Sequence, residues 1–405
     1  MMLHIPRPAI AIVLLALTAA GCGTAASGDD DGTAGDLRAR LAAGTLVNGE
    51  RCPAAGRSRW AAAGAGYRAT ATYGDDEDEA LVSVAGVAVR GGSVFVYDGV
   101  GARVAVLAED LRPRGSFARQ GEGPGELARS RDRSRAMSVG RWRWIDAAGD
   151  GTIFVFDGRQ AHRFGADGAF RERVAVPPPA GIPVLGGYPR IRAVDSALYV
   201  ASALVMNDSG KPQRWAVHRL RGAGLEPLLE LTLAALPRWT NGSAFRGPAQ
   251  ARPLWEVAAG CIVATDGEHP WLVRRPLAGG AADSLPVALP DRDPPKMDER
   301  TYLRELNSGP GPNVRSLPGP TAVRRVLDVI ADPDGHLWIL PLQPRGGGRR
   351  PVEVLRVDVG TGASETDTVP AFPLAFGAPG VYYAAATDAD GVVSVVRYER
   401  GREPR

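Results

Sequence analysis

The chain has 405 residues, and its 48 Lys and Arg against 45 Asp and Glu leave a formal charge of only +3. That near-neutrality argues against a dedicated nucleic-acid binder, which carries a basic stripe. Hydrophobic residues at 44% and charged residues at 23% exclude wholesale disorder, and Gly 51 with Pro 33, about a fifth of the chain, favours many turns over long helices.

Residues 1–21 read as a signal peptide: one early cation, Arg7, then an apolar run from Ala9 to Ala20 that is too short to span a bilayer. Ala19, Ala20 and Gly21 before Cys22 resemble the bacterial lipobox, departing from it at Ala19, where leucine is commoner. Cleavage there makes Cys22 the lipidated first residue, and several acyl chains hold a protein stably on a membrane without spanning it. An ordinary secretory signal cut nearby is the alternative. Gly23 stands where many inner-membrane lipoproteins of Gram-negative bacteria carry aspartate, which favours the outer membrane. Removal of residues 1–21 takes away Arg7 and no acid, so the formal charge falls from +3 to +2.

Residues 22–66 are rich in Gly, Ala, Ser and Asp (GTAASGDDDGTAGD) and predict a flexible tether with one short helical stretch near Leu37 to Ala43. With Cys22 acylated, Cys52 and Cys261 remain as an even pair in an oxidising compartment, and a disulfide between them is one expectation. The other is two unrelated thiols, with Cys261 buried on a strand as a small hydrophobe.

Tyr67 to Tyr73 (YRATATY) alternates as a strand does and has no partner nearby. Beyond it, six segments align without gaps: GSVFVYD from Gly92, GTIFVFD from Gly151, SALYVAS from Ser196, GCIVATD from Gly260, GHLWILP from Gly335 and GVYYAAA from Gly380. An aromatic recurs at one position as Phe95, Phe154, Tyr199, Trp338 and Tyr383, with Val263 in the fourth copy. Each run reads as a strand buried on both faces. The starts lie 59, 45, 64, 75 and 45 residues apart, the unit size of a propeller blade with variable loops.

Upstream stretches supply inner strands at Leu81–Val89, Trp142–Asp146, Ile191–Val194, Leu254–Val257 and Arg325–Ala331. Third strands follow at Arg103–Leu107, Ala161–Phe164, Trp215–Leu220, Trp271–Arg274, Val352–Val357 and Val392–Tyr398. Asp332-Pro333-Asp334-Gly335, Asp388-Ala389-Asp390-Gly391 and Asp167-Gly168 are tight-turn chemistry, lacking the further oxygen ligands and closing Glu of a calcium loop. The last unit has no outer strand of its own, so Tyr67 to Tyr73 is expected to complete it. Such closure leaves fewer exposed sheet edges. The expectation is all-β: a six-bladed β-propeller of four-stranded blades over residues 67–405, ring closed by an N-terminal strand, with one helix interposed at Lys296 to Asn307.

After the first unit comes Phe117-Ala-Arg-Gln-Gly-Glu-Gly-Pro-Gly-Glu-Leu127. Gly121, Gly123, Pro124, Gly125, Glu126 and Leu127, supported by VLDVIADPDGHLWIL at 326–340, resemble the bacterial six-bladed β-propeller lipoproteins related to NHL-repeat proteins. The resemblance covers roughly residues 67 to 400 and implies the fold, together with a surface or periplasmic binding role and no assigned reaction. Glycines allow positive φ or close approach and Pro124 fixes one φ, which suits a rigid connector. The same backbone amides, with Arg119 nearby, suit an anion nest, so Arg119, Gln120, Gly121, Glu122, Gly123 and Glu126 form the candidate ligand loop.

No G-x-S-x-G, H-E-x-x-H or paired C-x-x-C occurs, and Pro212 breaks a Walker reading at Gly210-Lys211. His162, His218, His269 and His336 fall in four different units, and Asp98, Asp157 and Asp266 end equivalent strands in turn-like sequence; neither set is assigned a metal. The acidic run Asp75 to Glu79 suits a solvated loop, and Trp142, Trp144, Trp239 and Trp255 suit packing or ligand stacking. No cofactor, metal or catalytic residue is assigned. The functional expectation is a monomeric, lipid-anchored envelope protein, non-enzymatic, binding a protein, peptide or glycan. A metal-dependent hydrolase or lyase using the central channel is the alternative, recognisable if acids or amides from several blades converge there.

Overall fold

The computed structural model describes residues 52–55, 58–61, 66–76, 79–128, 144–158, 160–176, 190–205, 213–221, 224–233, 254–267, 269–290, 326–341, 351–388 and 390–401. The signal peptide, Cys22, most of the tether, the helix at Lys296 to Asn307, Trp142 and Trp239 lie outside the described residues.

All regular structure among the described residues is β. Strand β1 (Tyr67–Tyr73) comes first. Blade one holds β2 (Gly86–Arg90), β3 (Ser93–Asp98), β4 (Arg103–Ala108) and β5 (Pro113–Phe117), and the short β6 (Arg119–Gln120) and β7 (Glu126–Leu127) follow. Blade two holds β8 (Ile145–Ala147), β9 (Ile153–Phe156), β10 (Ala161–Phe164) and β11 (Phe170–Val174). Blade three holds β12 (Ile191–Val194), β13 (Ala197–Val205), β14 (Gln213–Arg221) and β15 (Gly224–Leu233). Blade four holds β16 (Leu254–Ala258), β17 (Cys261–Thr265), β18 (Trp271–Pro276) and β19 (Asp283–Pro286). Blade five holds β20 (Val326–Ala331), β21 (His336–Pro341), β22 (Val352–Asp358) and β23 (Ser364–Val369). Blade six holds β24 (Ala375–Phe376), β25 (Val381–Thr387), β26 (Val393–Arg400) and, outermost, β1.

The six sheets form a six-bladed β-propeller, with β2 packing on β8 and β24, β8 on β12, and β16 on β20 at the inner edges. As expected, the N-terminal strand closes the ring: β1 runs antiparallel to β26 from Tyr67 opposite Arg400 to Tyr73 opposite Val395. The recurring position of the second strands is buried in all six blades, and the apolar clusters around it join neighbouring blades. Burying a Phe-sized side chain there contributes roughly 1.5–3 kcal/mol. The first inner strand is shorter than Leu81–Val89. Before Gly86 the Asp98 carboxylate draws the amides of Val82 (3.1 Å) and Ser83 (3.1 Å) into a turn, leaving Leu81 a single bridge to Val393.

The last described stretch of the expected tether is packed against the ring. Cys52 is disulfide-bonded to Cys261 of β17, with Cα atoms 5.9 Å apart. The Ala55 amide donates to Asp358 Oδ1 (3.0 Å), Ser58 Oγ to Asp332 Oδ2 (2.7 Å), and Arg59 forks onto Asp334 (2.9 and 2.7 Å). Trp60 is 1% exposed, meets Phe376 edge-on at 5.9 Å, and donates Nε1–H to the Val381 carbonyl (3.0 Å). This strap therefore passes from blade four over blade five to blade six. Every attachment lies on the side of the ring made by the first-to-second and third-to-fourth strand turns. The second-to-third turns and the blade-to-blade connections lie on the other side, because strand direction alternates through each antiparallel blade.

Candidate functional site

An innermost strand bonds its second strand along one edge and leaves the other edge without a strand partner. In blades two to five, charged side chains of the inner strands meet these edges. Asp146 of β8 accepts the Ala193 amide of β12 (2.7 Å) and the Ala147 amide (3.0 Å). Arg190, just before β12, donates to the Trp255 carbonyl of β16 and to Asp328 of β20, and lies 3.7 Å from Glu256. Arg192 of β12 pairs with Asp146 (3.3 Å) and with Glu256 of β16. Glu256 accepts the Val257 amide (3.0 Å) and Asp328 the Val329 amide (2.8 Å).

Glu256, Arg190 and Asp328 are 0%, 4% and 5% exposed. Charges buried so deeply persist only when paired and hydrogen-bonded, and these are both. Burial pushes the Asp146 carboxyl above its ordinary range, against the pull of Arg192 and the Ala193 amide. For Arg192, burial works against the charged form, and Asp146 with Glu256 more than offsets it, so its pKa is raised. Three acids from separate blades thus do converge, but two arginines sit among them. Among the described residues no group of three or more His, Cys, Asp or Glu is placed to hold a metal ion.

Elsewhere the acids at the ends of second strands hold neighbouring turns and loops. Asp98 accepts the Ser83 hydroxyl (3.0 Å) and the Gly101 amide (2.9 Å), Asp157 the amides of Ala128 (3.0 Å) and Gln160 (2.9 Å), and Asp266 the His269 amide (3.0 Å). The four histidines stay apart, one to a blade. His162 Nε2 lies 3.1 Å from Asp157, and His218 is buried on β14, where desolvation lowers its pKa. His269 stacks on Trp271 at 4.2 Å, and His336 opens β21 with Nδ1 3.7 Å from Asp332. Trp144 and Trp255 are buried in blade-joining clusters.

In the glycine loop, β6 and β7 pair in parallel, and the Glu126 carboxylate takes the position facing the nest. Glu126 accepts the Gly123 amide (2.8 Å) and Arg119 Nε–H (2.8 Å), and these hold its pKa below the ordinary range. A Cβ at Gly121 would stand 2.0 Å from Glu126 Oε2, so a side chain there would have to displace the carboxylate. Arg173 of β11 donates to the carbonyls of Glu122 (3.0 Å) and Gly123 (2.8 Å), pinning the loop to blade two. Gln120 pairs with Leu127.

Sequence reasoning missed Asp146, Arg190, Arg192, Glu256 and Asp328. Their signal is a charge inside or at the edge of an otherwise apolar inner strand, as in WIDA, RIRAV, LWEVA and VLDVIA.

No family model matches the chain, and no curated protein matches it. Among solved structures it is similar to a protein from Bacteroides fragilis assigned as exported (9% identity, 83% of this chain and 96% of that one, TM-score 0.48). A member of the duf4221 family from Bacteroides vulgatus gives 10% identity, 83% and 98% coverage and a TM-score of 0.47. A gluconolactonase from Xanthomonas campestris gives 13%, 87% and 96%, and 0.44. Likeness at this level carries neither fold nor activity across, and the architecture stands on the sheet topology of the chain itself.

Proposed function

We propose that the chain is an exported envelope lipoprotein, anchored through Cys22, whose propeller is a non-enzymatic module binding a protein, peptide or glycan. The observation that carries this reading is the buried Cys52–Cys261 disulfide. Such bonds persist in oxidising compartments outside the cytoplasm. The sequence has only three cysteines, so the bond leaves Cys22 single, directly after the signal-like segment. Support for binding over channel hydrolysis comes from the inner strands: each channel acid already faces Arg190 or Arg192, so a divalent cation must displace a guanidinium to reach it. The loop at Arg119 to Glu126 is retained as a candidate contact surface through the exposed Arg119 and Gln120.

The test is metabolic labelling with an alkyne fatty acid, followed by membrane fractionation of the wild type and Cys22→Ser. Label and membrane association that Cys22→Ser abolishes support the reading. An unlabelled wild type in the soluble fraction overturns it.

A further inference from the structure

We infer that Asp146 is a proton-binding site built into the seam between blades two and three, and that its neutral form holds the seam more firmly, so the propeller gains stability as its surroundings turn mildly acidic.

The geometry begins with a shared cation. Arg192 of β12 gives its Nε–H to Glu256 of β16 and reaches Asp146 of β8 only through Nη1, at 3.3 Å. Arg190, which lies 3.7 Å from Glu256, is committed to Asp328 and the Trp255 carbonyl. Asp146 therefore holds part of one guanidinium, and among the described residues no second cation meets it. The other strands packed on β8 are β2, β3 and β9. Strand β9 (IFVF) is apolar, Arg90 at the end of β2 donates to the Gly149 carbonyl, and Asp98 at the end of β3 accepts the amides of Val82, Ser83 and Gly101.

The side chain of Asp146 is only 14% exposed and that of Arg192 21%. A carboxylate so buried, with its counter-charge divided, costs free energy that a neutral carboxyl does not. Burial, joined by the like charge of Glu256, raises the Asp146 carboxyl against the pull of Arg192 and the Ala193 amide, the direction this geometry requires. Its other contacts tolerate the proton. Oδ2 accepts the Ala193 amide (2.7 Å), so a proton on Oδ1 leaves that bond between β8 and β12 in place and gives Arg192 wholly to Glu256.

A carboxyl raised in the folded state contributes stability that is fully present below its unfolded value, about 3.9, and is lost as pH rises through the folded value. Asp332 and Asp358 under the strap are lowered and act in the opposite sense. Between the two lies a range of mild acidity in which the seam gains strength while the strap keeps its own.

The experiment follows thermal unfolding of the full-length Cys22→Ser protein, with and without Asp146→Asn, from pH 4 to pH 8. Asparagine stands for the neutral carboxyl, and a constant offset belongs to the substitution itself. The melting temperature of the Asp146→Asn protein should gain on its parent by about 2 °C or more across that range, roughly the shift for one pKa unit in a chain of this size. A difference that stays flat, or that falls as pH rises, overturns the proton site. Infrared spectra of the parent labelled with carbon-13 aspartate give a reading that does not need the variant to fold. A protonated aspartyl carbonyl band is expected at pH 6, above the ordinary carboxyl range, and its absence overturns the inference.

Discussion

Arg190 spans from blade three across blade four to blade five, giving hydrogen bonds to the Trp255 carbonyl and to Asp328. Replacing it with methionine keeps most of the side-chain bulk but strands Asp328 and weakens the field at Glu256. Removing one partner of a buried ion pair costs about 3–5 kcal/mol, so Arg190→Met should lower the urea midpoint markedly. Asp328→Asn in the same background should recover part of the loss, because it removes the uncompensated charge; strictly additive losses would contradict the pairing. Asp332 and Asp358 report in another way. Burial opposes ionisation of each, but hydrogen bonds from His336, Ser58 and Trp338 on Asp332, and from Ala55, Gly360 and Thr361 on Asp358, outweigh it and lower both pKa values. A depressed carboxylate contributes stability that is present above its unfolded value, about 3.9, and is lost as pH falls through the folded value. The strap should therefore hold at pH 5 and above and loosen only below about pH 4, read as a red shift of Trp60 emission against a Trp60→Phe reference. Asp146, with its raised carboxyl, acts in the opposite direction on global stability, which is why a local reporter is needed. These residues were not legible in sequence because they lie between positions 146 and 358 at irregular spacing, and only the ring brings them together.

At the level of elements, β1 was legible and the strap was not. YRATATY alternates, and an unpaired outer position in the last blade gave it one place to go. Residues 52–61 lack periodicity and share the small-residue composition of a linker, and a single tryptophan does not distinguish an anchored segment from a free one. In the structure Trp60 fills the space beside Phe376, and Phe376 in turn lies 5.2 Å from Trp338. Trp60→Ala should cost about 3–5 kcal/mol if the cavity does not collapse. It should also expose residues 58–61 to limited proteolysis while far-UV circular dichroism stays that of the wild type; unchanged stability would mean that the strap only rests on the ring. The glycine loop was legible as a connector, and the structure adds the Glu126 carboxylate that caps its amides, a role that spacing alone does not specify.

Over the whole molecule, the six repeats made the propeller readable because the second strands are buried on both faces and so keep their apolar pattern, whereas connections of unequal length hid the strict period. The disulfide links positions 209 residues apart, and the chain-entropy model gives such a closure about 5 kcal/mol. Cys52→Ser with Cys261→Ser should lower the melting temperature and have its largest effect on hydrogen exchange in the strap and blade four. An unaltered melting temperature would show the strap contacts to be sufficient alone.

The inner acids of the ring are occupied by its own arginines. The most direct measurement is the divalent-metal content, by mass spectrometry, of the full-length Cys22→Ser protein purified without chelator or metal-affinity resin. Substoichiometric metal, with no change in thermal unfolding on adding calcium, is the expected result. One equivalent of a divalent ion that Asp328→Asn removes would contradict it, and would make the channel a metal-dependent site.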